Sequence, residues 1–292
     1  MKPQYRLFSR FFSRVGLVAV AVSTASSLSA AVLMLDLGSV AVTPSDETNS
    51  PLHAADVAFT DTSWNSISTS IGAKTGLVYA DGSSADGVSV YVGRSSNTPW
   101  TTLTFAGGPT NVTTGTNPGG LDGVFSSTSS IGRDGHYAAY ASGTGDPALT
   151  RLMGVSIGGL AAGTYEIYLV GINPQLALST EAAVGFWAVE LGSTANYDAT
   201  ALVGGGPQAV STNSVSSSWV EGDNYAKLTF TLNSPDSFLT LISLGLTEAD
   251  QRGYLNAIQI VAIPEPANAA GLMGLLALFG LAMSRRTGRR SA

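Results

Sequence analysis

Short apolar runs bounded by turn-forming residues follow one another from residue 32 to residue 262, and this pattern constrains the fold most. The runs are rich in Val, Ile, Tyr, Phe and Thr, and the clearest two, 164–170 and 227–232, alternate as half-buried strands do. No stretch keeps a helical apolar period for three turns, and no long repeat is present. The pattern predicts an all-β fold, an antiparallel β-sandwich, because many short strands must pack sheet on sheet.

Ten segments carry the strand pattern. They are residues 32–37, 77–80, 88–92, 101–105, 152–157, 164–171, 184–191, 225–232, 238–244 and 255–262. Short helical turns are expected near 53–56 and 247–251. A region of about 230 residues buries an adequate core by itself, and the chain has no cysteine, so no disulfide supports it.

The segment 263–292 differs from the rest of the chain. It contains a Pro-Glu-Pro motif, an uncharged apolar run and an Arg cluster: Pro264, Glu265 and Pro266, then residues 267–283, then Arg285, Arg286, Arg289 and Arg290. Seventeen helical residues span about 25 Å, the lower limit for a hydrocarbon core of about 30 Å. The order predicts a transmembrane helix at 267–283 rather than a buried core helix, with the Arg cluster in the cytoplasm.

This tail resembles the PEP-CTERM sorting signal, and Pro264-Glu265-Pro266 with Arg285-Arg286 carry the resemblance. The resemblance implies recognition by exosortase, a membrane protease–transpeptidase, in a Gram-negative-type bacterium that makes exopolysaccharide. The implied partners are exosortase and the export machinery, the membrane through the C-terminal helix before processing, and exopolysaccharide. Nucleic acid is not an expected partner.

The N-terminal segment 1–31 has the three parts of a secretory signal peptide. Basic residues precede a short apolar stretch, 15–22, and a stretch of small residues, 23–31. Eight apolar residues are too few to span a bilayer. We expect cleavage after Ala31, which leaves an ectodomain at 32–262 that is exported to the cell envelope, the cell surface or the extracellular matrix.

The ectodomain is strongly acidic. Residues 32–262 contain six Lys and Arg against nineteen Asp and Glu, a formal charge of −13. Such a surface repels nucleic acid and anionic lipid, which excludes both as ligands. It is compatible with divalent cations and neutral sugars.

Both ends of the ectodomain carry a further similarity. Segments 32–39 and 63–65 open it, 253–260 closes it, and 157–168 has the character of a turn that enters a central strand. This pattern resembles the galactose-binding-like and malectin-like jelly-roll domains of bacterial surface proteins, whose terminal strands lie side by side. The resemblance implies a carbohydrate-binding scaffold, but no sugar-contacting residue of those families maps onto this sequence.

Three tryptophans are candidate sugar-binding residues. Trp64, Trp100 and Trp219 lie among Ser, Thr and Asn, and a pyranose ring stacks on an indole while polar neighbours bind its hydroxyls. The alternative for each is that it plugs the end of the sandwich core. Trp187 follows Phe186 in an apolar strand, so we expect it in the core.

Asp81 and Asp86, in the oxygen-rich segment 81–87, are candidate ligands of a structural Ca²⁺ ion. The segment lacks the spacing of an EF-hand loop. The alternative is a turn in which Asp and Gly serve the backbone geometry. We expect no other cofactor.

Catalytic motifs are weak. Residues 154–158 match G-x-S-x-G, but both histidines, His53 and His136, precede Ser156, and Gly-Gly leads from it into another strand. We therefore expect Ser156 to be a strand residue and His136 to be a hydrogen-bonding surface residue. No pair of acids stands out for glycoside cleavage.

The sequence thus predicts a non-enzymatic, exosortase-sorted surface or matrix protein with a carbohydrate-binding-like β-sandwich. One alternative is a purely structural matrix or adhesion protein without a defined ligand. A less favoured alternative is a glycoside or ester hydrolase, which requires a cleft with converging acids or a contact between a serine and a histidine.

Overall fold

Strands make up nearly all of the regular structure of this chain. The computed structural model describes residues 31–38, 48–68, 72–95, 102–105, 110–112, 123–125, 131, 134–138, 152–172, 183–192, 196–198, 208–211, 216–246 and 252–264. Helix in these ranges is limited to α1 (Pro51–Ala55) and one 3₁₀ turn (Gly123–Phe125). The all-β prediction is confirmed for this part of the chain.

Fifteen strands occur in the described ranges. β1 to β15 are, in chain order, Val32–Leu37, Asn65–Ile67, Ser89–Ser95, Thr102–Thr104, Thr110–Val112, Gly135–Tyr137, Leu152–Gly158, Gly163–Val170, Ala183–Leu191, Asn196–Asp198, Gln208–Ser211, Ala226–Leu232, Phe238–Gly245, Tyr254–Leu255 and Ala257–Ile263. Nine of the ten predicted strands coincide with one of them. The exception is 77–80, where Val78 makes only an isolated bridge to Ser84. The predicted turn near 53–56 is part of α1, whereas 247–251 lies outside the described residues.

Two large sheets pack against each other. One has the strand order β12-β8-β15-β1-β2, and the other has the order β10-β4-β3-β7-β13-β9-β11. Alternate side chains from both sheets meet in one apolar cluster, which includes Leu35, Ile167 and Ile258 from the first sheet and Val155 and Leu241 from the second. A small third sheet, β14-β6-β5, completes the fold.

The first and last strands of the domain lie side by side, as the jelly-roll resemblance predicts. β1 pairs antiparallel with β15 in a register that places Val32 opposite Val261. β2 adds in parallel at the outer side of β1, and β8 lies between β12 and β15 as an interior strand. Residues Ala31–Glu265 form one compact unit that contains all three apolar clusters of the described residues, so this stretch carries its own core.

Several predicted features lie outside the described residues. They are the signal peptide up to residue 30, Trp100, Glu265, Pro266, the helix at 267–283, Arg285 and Arg286. Pro264 is described, and it is exposed directly after β15. In the ranges given above, no helix has both the length and the apolar character needed to cross a membrane.

We expect Ile167→Ala to lower the free energy of unfolding by about 3 kcal/mol, because truncating a buried Ile loses transfer free energy and leaves a cavity. Ile167 is fully buried and lies in register with Leu228 on one side and Ile260 on the other. Urea unfolding of residues 31–265 measures the change. Thr229→Ala on the exposed side of β12 is the matched control. Equal losses in the two variants would contradict this assignment of the core.

Candidate functional site

The outer face of the five-stranded sheet carries a second apolar cluster. Alternate residues of β1, β8 and β15, such as Met34, Tyr168 and Ala257, point away from the sandwich core. Separate stretches of chain cover this face with apolar and aromatic side chains: Leu52, Phe59, Trp64, Val124, Phe125 and Trp219. Two of the three predicted tryptophans therefore lie against the same cluster.

Helix α1 is fixed to this face by a polar network. Ser50 caps the helix, and Pro51 occupies its first turn, where no amide donor is needed. The Gln259 side chain on β15 accepts a hydrogen bond from the Leu52 amide at 3.0 Å and donates to Ser50 Oγ at 2.9 Å. One buried glutamine thus holds the short helix on the sheet.

His53 forms the serine–histidine contact that a hydrolase requires, but at a buried position. Its Nε2 lies 3.0 Å from the carbonyl oxygen of Asp61, which accepts only, so Nε2 carries the proton. Nδ1 therefore accepts from the Ser50 hydroxyl at 2.6 Å. Ser50 is 0% exposed and already caps α1, so its hydroxyl lies beneath the protein surface.

Trp219 is half-buried beside this network. Its indole Nε1 donates to Asn49 Oδ1 at 2.9 Å, and Asn49 Nδ2 donates to the Val124 carbonyl at 3.1 Å. The indole meets Phe125 edge-on with ring centroids 5.2 Å apart and Tyr225 with centroids 6.4 Å apart. These contacts fix the orientation of the ring.

The rings of Phe125, Trp219, Tyr225 and Tyr168 contact one another in sequence and form an aromatic row. Polar groups adjoin this row. Tyr225 contacts Tyr168 with centroids 6.0 Å apart, and the Tyr168 hydroxyl donates to Glu166 at 3.1 Å. Lys227 pairs with Glu166 at 2.8 Å, with both side chains 31% exposed, and its ammonium lies 5.4 Å from the Tyr168 ring centre. Burial and the Glu166 carboxylate raise the pKa of Tyr168 to about 12. The hydrogen bond to Glu166 raises the pKa of Lys227, so the Lys227 ammonium keeps its charge at neutral pH.

We call this group of buried and partly exposed side chains the Trp219 site. It consists of Asn49, Glu166, Tyr168, Trp219, Tyr225 and Lys227. Sequence reasoning identified Trp219 alone. The alternation at 164–170 and 227–232 places the other strand residues on one face, but only the pairing of β8 with β12 brings Glu166, Tyr168 and Lys227 together.

The other tryptophans have different positions. Trp64 precedes the edge strand β2 and Trp219 precedes the opposite edge strand β12, so the two rings flank the covered face rather than forming one stack. The prediction that Trp187 is a core residue is wrong. Phe186 takes the core position, and the alternation of β9 then directs Trp187, half-buried, to the outer face of the seven-stranded sheet.

The candidate calcium ligands lie in a tight exposed turn. Asp81 Oδ1 accepts from the Ser83 amide at 2.9 Å and from the Ser83 hydroxyl at 2.6 Å, and these bonds lower the pKa of Asp81. Asp86 Oδ1 accepts from the Ser84 hydroxyl, and Gly82 supplies the positive φ of the turn. Within the ranges that the structure describes, no three His, Asp or Glu side chains are grouped to hold a metal ion.

Ser156 is a strand residue, as predicted. It lies within β7, is fully buried, and its hydroxyl contacts Thr240 Oγ1 at 2.9 Å.

The prediction that His136 is a surface residue is wrong. It lies in β6, is 0% exposed and donates from Nε2 to the Ile67 carbonyl at 2.8 Å. Its Nδ1 has no hydrogen-bond partner among the described residues. The sequence misled because Gly135, next to His136, belongs to a short buried strand.

Comparisons with known proteins give little guidance. No protein-family model and no curated protein matches the chain. Among solved structures, the chain is similar to a family 35 carbohydrate-binding module from Clostridium thermocellum, with a TM-score of 0.25 and 9% identity over 44% of this chain and 78% of that chain. A likeness of this size carries no argument about function, which must rest on the geometry of the site.

Burial lowers the pKa of His136 from 6.5 to about 4, which makes stability pH-dependent. Below pH 6.5 the unfolded chain binds a proton at this residue, whereas the folded chain does not until about pH 4. We therefore expect the free energy of unfolding to fall by about 3 kcal/mol as the pH decreases from 6.5 to about 4, at about 1.4 kcal/mol per pH unit. Urea unfolding of wild type and His136→Asn over this range isolates the contribution. If the free energy of unfolding depends on pH equally in the two proteins, this contribution of His136 is contradicted.

Proposed function

We propose that this chain is a non-catalytic β-sandwich protein that binds glycans through the Trp219 site. The observation that supports this function is a fixed, half-buried indole connected through the Tyr225 and Tyr168 rings to a partly exposed ion pair, Glu166 and Lys227. Sugars are recognised by such sites because the apolar face of a pyranose packs on an aromatic ring while charged and polar groups bind its hydroxyls. The acidity of the ectodomain favours neutral sugars over anionic ones.

A non-catalytic role agrees with the positions of the nucleophile candidates. Ser156 is hydrogen-bonded in the middle of a sheet, and Ser50 caps α1, which packs on the outer face of the five-stranded sheet. Neither hydroxyl is exposed. We therefore propose binding rather than hydrolysis as the activity of this domain.

We further propose that the protein is exported and then processed at the envelope by exosortase, so that it is displayed on the surface or deposited in an exopolysaccharide matrix. The tripartite tail and the leader-like N-terminus support this proposal.

The second candidate function is a structural matrix or adhesion protein without a defined ligand. The observation that favours it is that the polar hydrogen of Trp219 is already bound by Asn49 and its ring packs against Phe125. Such a residue can have a packing role only, in which it fills the end of the core and binds no ligand. Binding experiments separate the two functions.

We expect residues 31–265 to bind at least one neutral polysaccharide, and Trp219→Ala to weaken that binding at least about tenfold, equivalent to about 1.4 kcal/mol. The substitution removes the stacking surface. Affinity electrophoresis against a polysaccharide panel, with calcium and with EDTA, measures the effect and also tests for a calcium requirement. Trp187→Phe on the other sheet is the control and should bind normally. No binding to any polysaccharide in either condition would favour the structural role.

We expect Lys227→Met to weaken the same binding severalfold, because the ammonium and the Glu166 carboxylate that it orients are the charged, partly exposed groups of the Trp219 site. Isothermal titration with the best polysaccharide measures the change. Lys74→Met, at an exposed lysine that bridges to Val90 of the seven-stranded sheet, alters the net charge equally. Equal effects of the two variants would indicate a general charge effect and contradict a role for Lys227 in the site.

A further inference from the structure

We propose that the protonation state of His53 controls whether Trp219 is held in its binding orientation, so that the Trp219 site is ordered at neutral pH and released at mildly acidic pH. The relevance of this control to ligand binding rests on the glycan-binding function proposed above. The control itself concerns only contacts within this chain.

A continuous chain of contacts joins His53 to the indole. Neutral His53 accepts from the Ser50 hydroxyl at 2.6 Å. Ser50 is bonded covalently to Asn49, whose Oδ1 receives the Trp219 indole N–H at 2.9 Å. Asn49 also donates to the Val124 carbonyl beside the aromatic row. The position of residues 49–53 therefore sets the position of Trp219.

Protonation of His53 disrupts the first of these contacts. A proton on Nδ1 turns that atom from an acceptor into a donor, so the Ser50 hydroxyl loses its acceptor. Ser50 Oγ already receives Gln259 Nε2 at 2.9 Å and faces the His53 amide at 3.5 Å, which leaves little capacity for a third donor. The new charge also faces apolar neighbours, since the Phe59 ring lies edge-on 4.9 Å from the imidazole.

The groups that face His53 determine the direction of the effect. Met34 of β1 and Gln259 of β15 are uncharged, and Asp36 is the next outward-facing residue of β1. On the segment of His53 itself, Asp61 lies close enough to favour the charged imidazole, and Asp56 caps the end of α1. Desolvation by burial outweighs Asp61 and lowers the pKa of His53 below 6.5. His53 is therefore neutral at neutral pH and gains its charge as the pH falls.

Nuclear magnetic resonance of the Trp indole N–H groups tests this control without any ligand. With ¹⁵N-labelled residues 31–265, Trp219→Phe identifies the Trp219 signal, and spectra are recorded from about pH 7.5 downwards until the His53 ring protons have titrated. We expect that signal to shift or broaden with the same midpoint as the His53 ring protons, below 6.5. The shift should disappear in His53→Asn and persist in His136→Asn.

Several outcomes would overturn the proposal. A Trp219 signal that does not change with pH in wild type would do so, as would an unaltered shift in His53→Asn. If His53→Asn does not fold, the comparison of midpoints in wild type decides, and different midpoints for His53 and Trp219 contradict the coupling.

Polysaccharide binding at about pH 7.5 and at a pH below the measured His53 midpoint then separates this proposal from the proposed function. We expect the wild-type affinity to fall at least about fivefold at the lower pH, because Trp219 loses its fixed orientation. Absence of binding at both pH values would contradict the glycan-binding function alone, since the spectroscopic coupling would be unaffected. Equal binding at both pH values would contradict control of the site by His53.

Discussion

The antiparallel pairing of β1 with β15 joins the two ends of the domain and forms the middle of the five-stranded sheet. Because the seven-stranded sheet covers one face of this pair and the residues that include α1 cover the other, the pair can be apolar on both faces. One face contributes Leu33 and Ile260 to the core between the sheets, and the other contributes Val32 and Met34 to the second cluster. Without this pairing, neither cluster would have a continuous sheet surface beneath it, and the residues that cover the second cluster would have no surface on which to pack.

The segments that cover the outer face of the five-stranded sheet, including α1, are held in place by buried polar side chains. Apolar contacts alone would leave the position of these segments variable. Gln259 holds α1 through the Leu52 amide and Ser50, and Asn65 bonds the Met34 carbonyl at 3.0 Å and both backbone groups of Val78. Each of these amides must find partners once it is buried, so each permits few arrangements of the chain above the sheet. The orientation of Trp219 is one consequence, because Asn49 adjoins this network.

The failures of sequence reasoning have specific physical causes. β2, β6 and the other strands of three or four residues are too short to show alternation, so the segment around His136 resembled a Gly-containing loop. Trp187 follows a core phenylalanine in an apolar strand, but successive side chains of a strand point to opposite faces. Pairing partners also cannot be deduced from pattern, which is why Lys227 gave no sign of being next to Glu166.

The sequence alone determined the all-β class and nine of the fifteen strands, because alternation and turn residues act locally along the chain. The adjacency of the terminal strands was implied only by the jelly-roll resemblance. The sequence also identified Trp219 as an aromatic residue in polar surroundings. The tertiary structure decided which face each tryptophan occupies and placed Ser50 against His53. It also assembled the Trp219 site from three distant stretches of chain. These features depend on register and packing between segments, which no local pattern encodes.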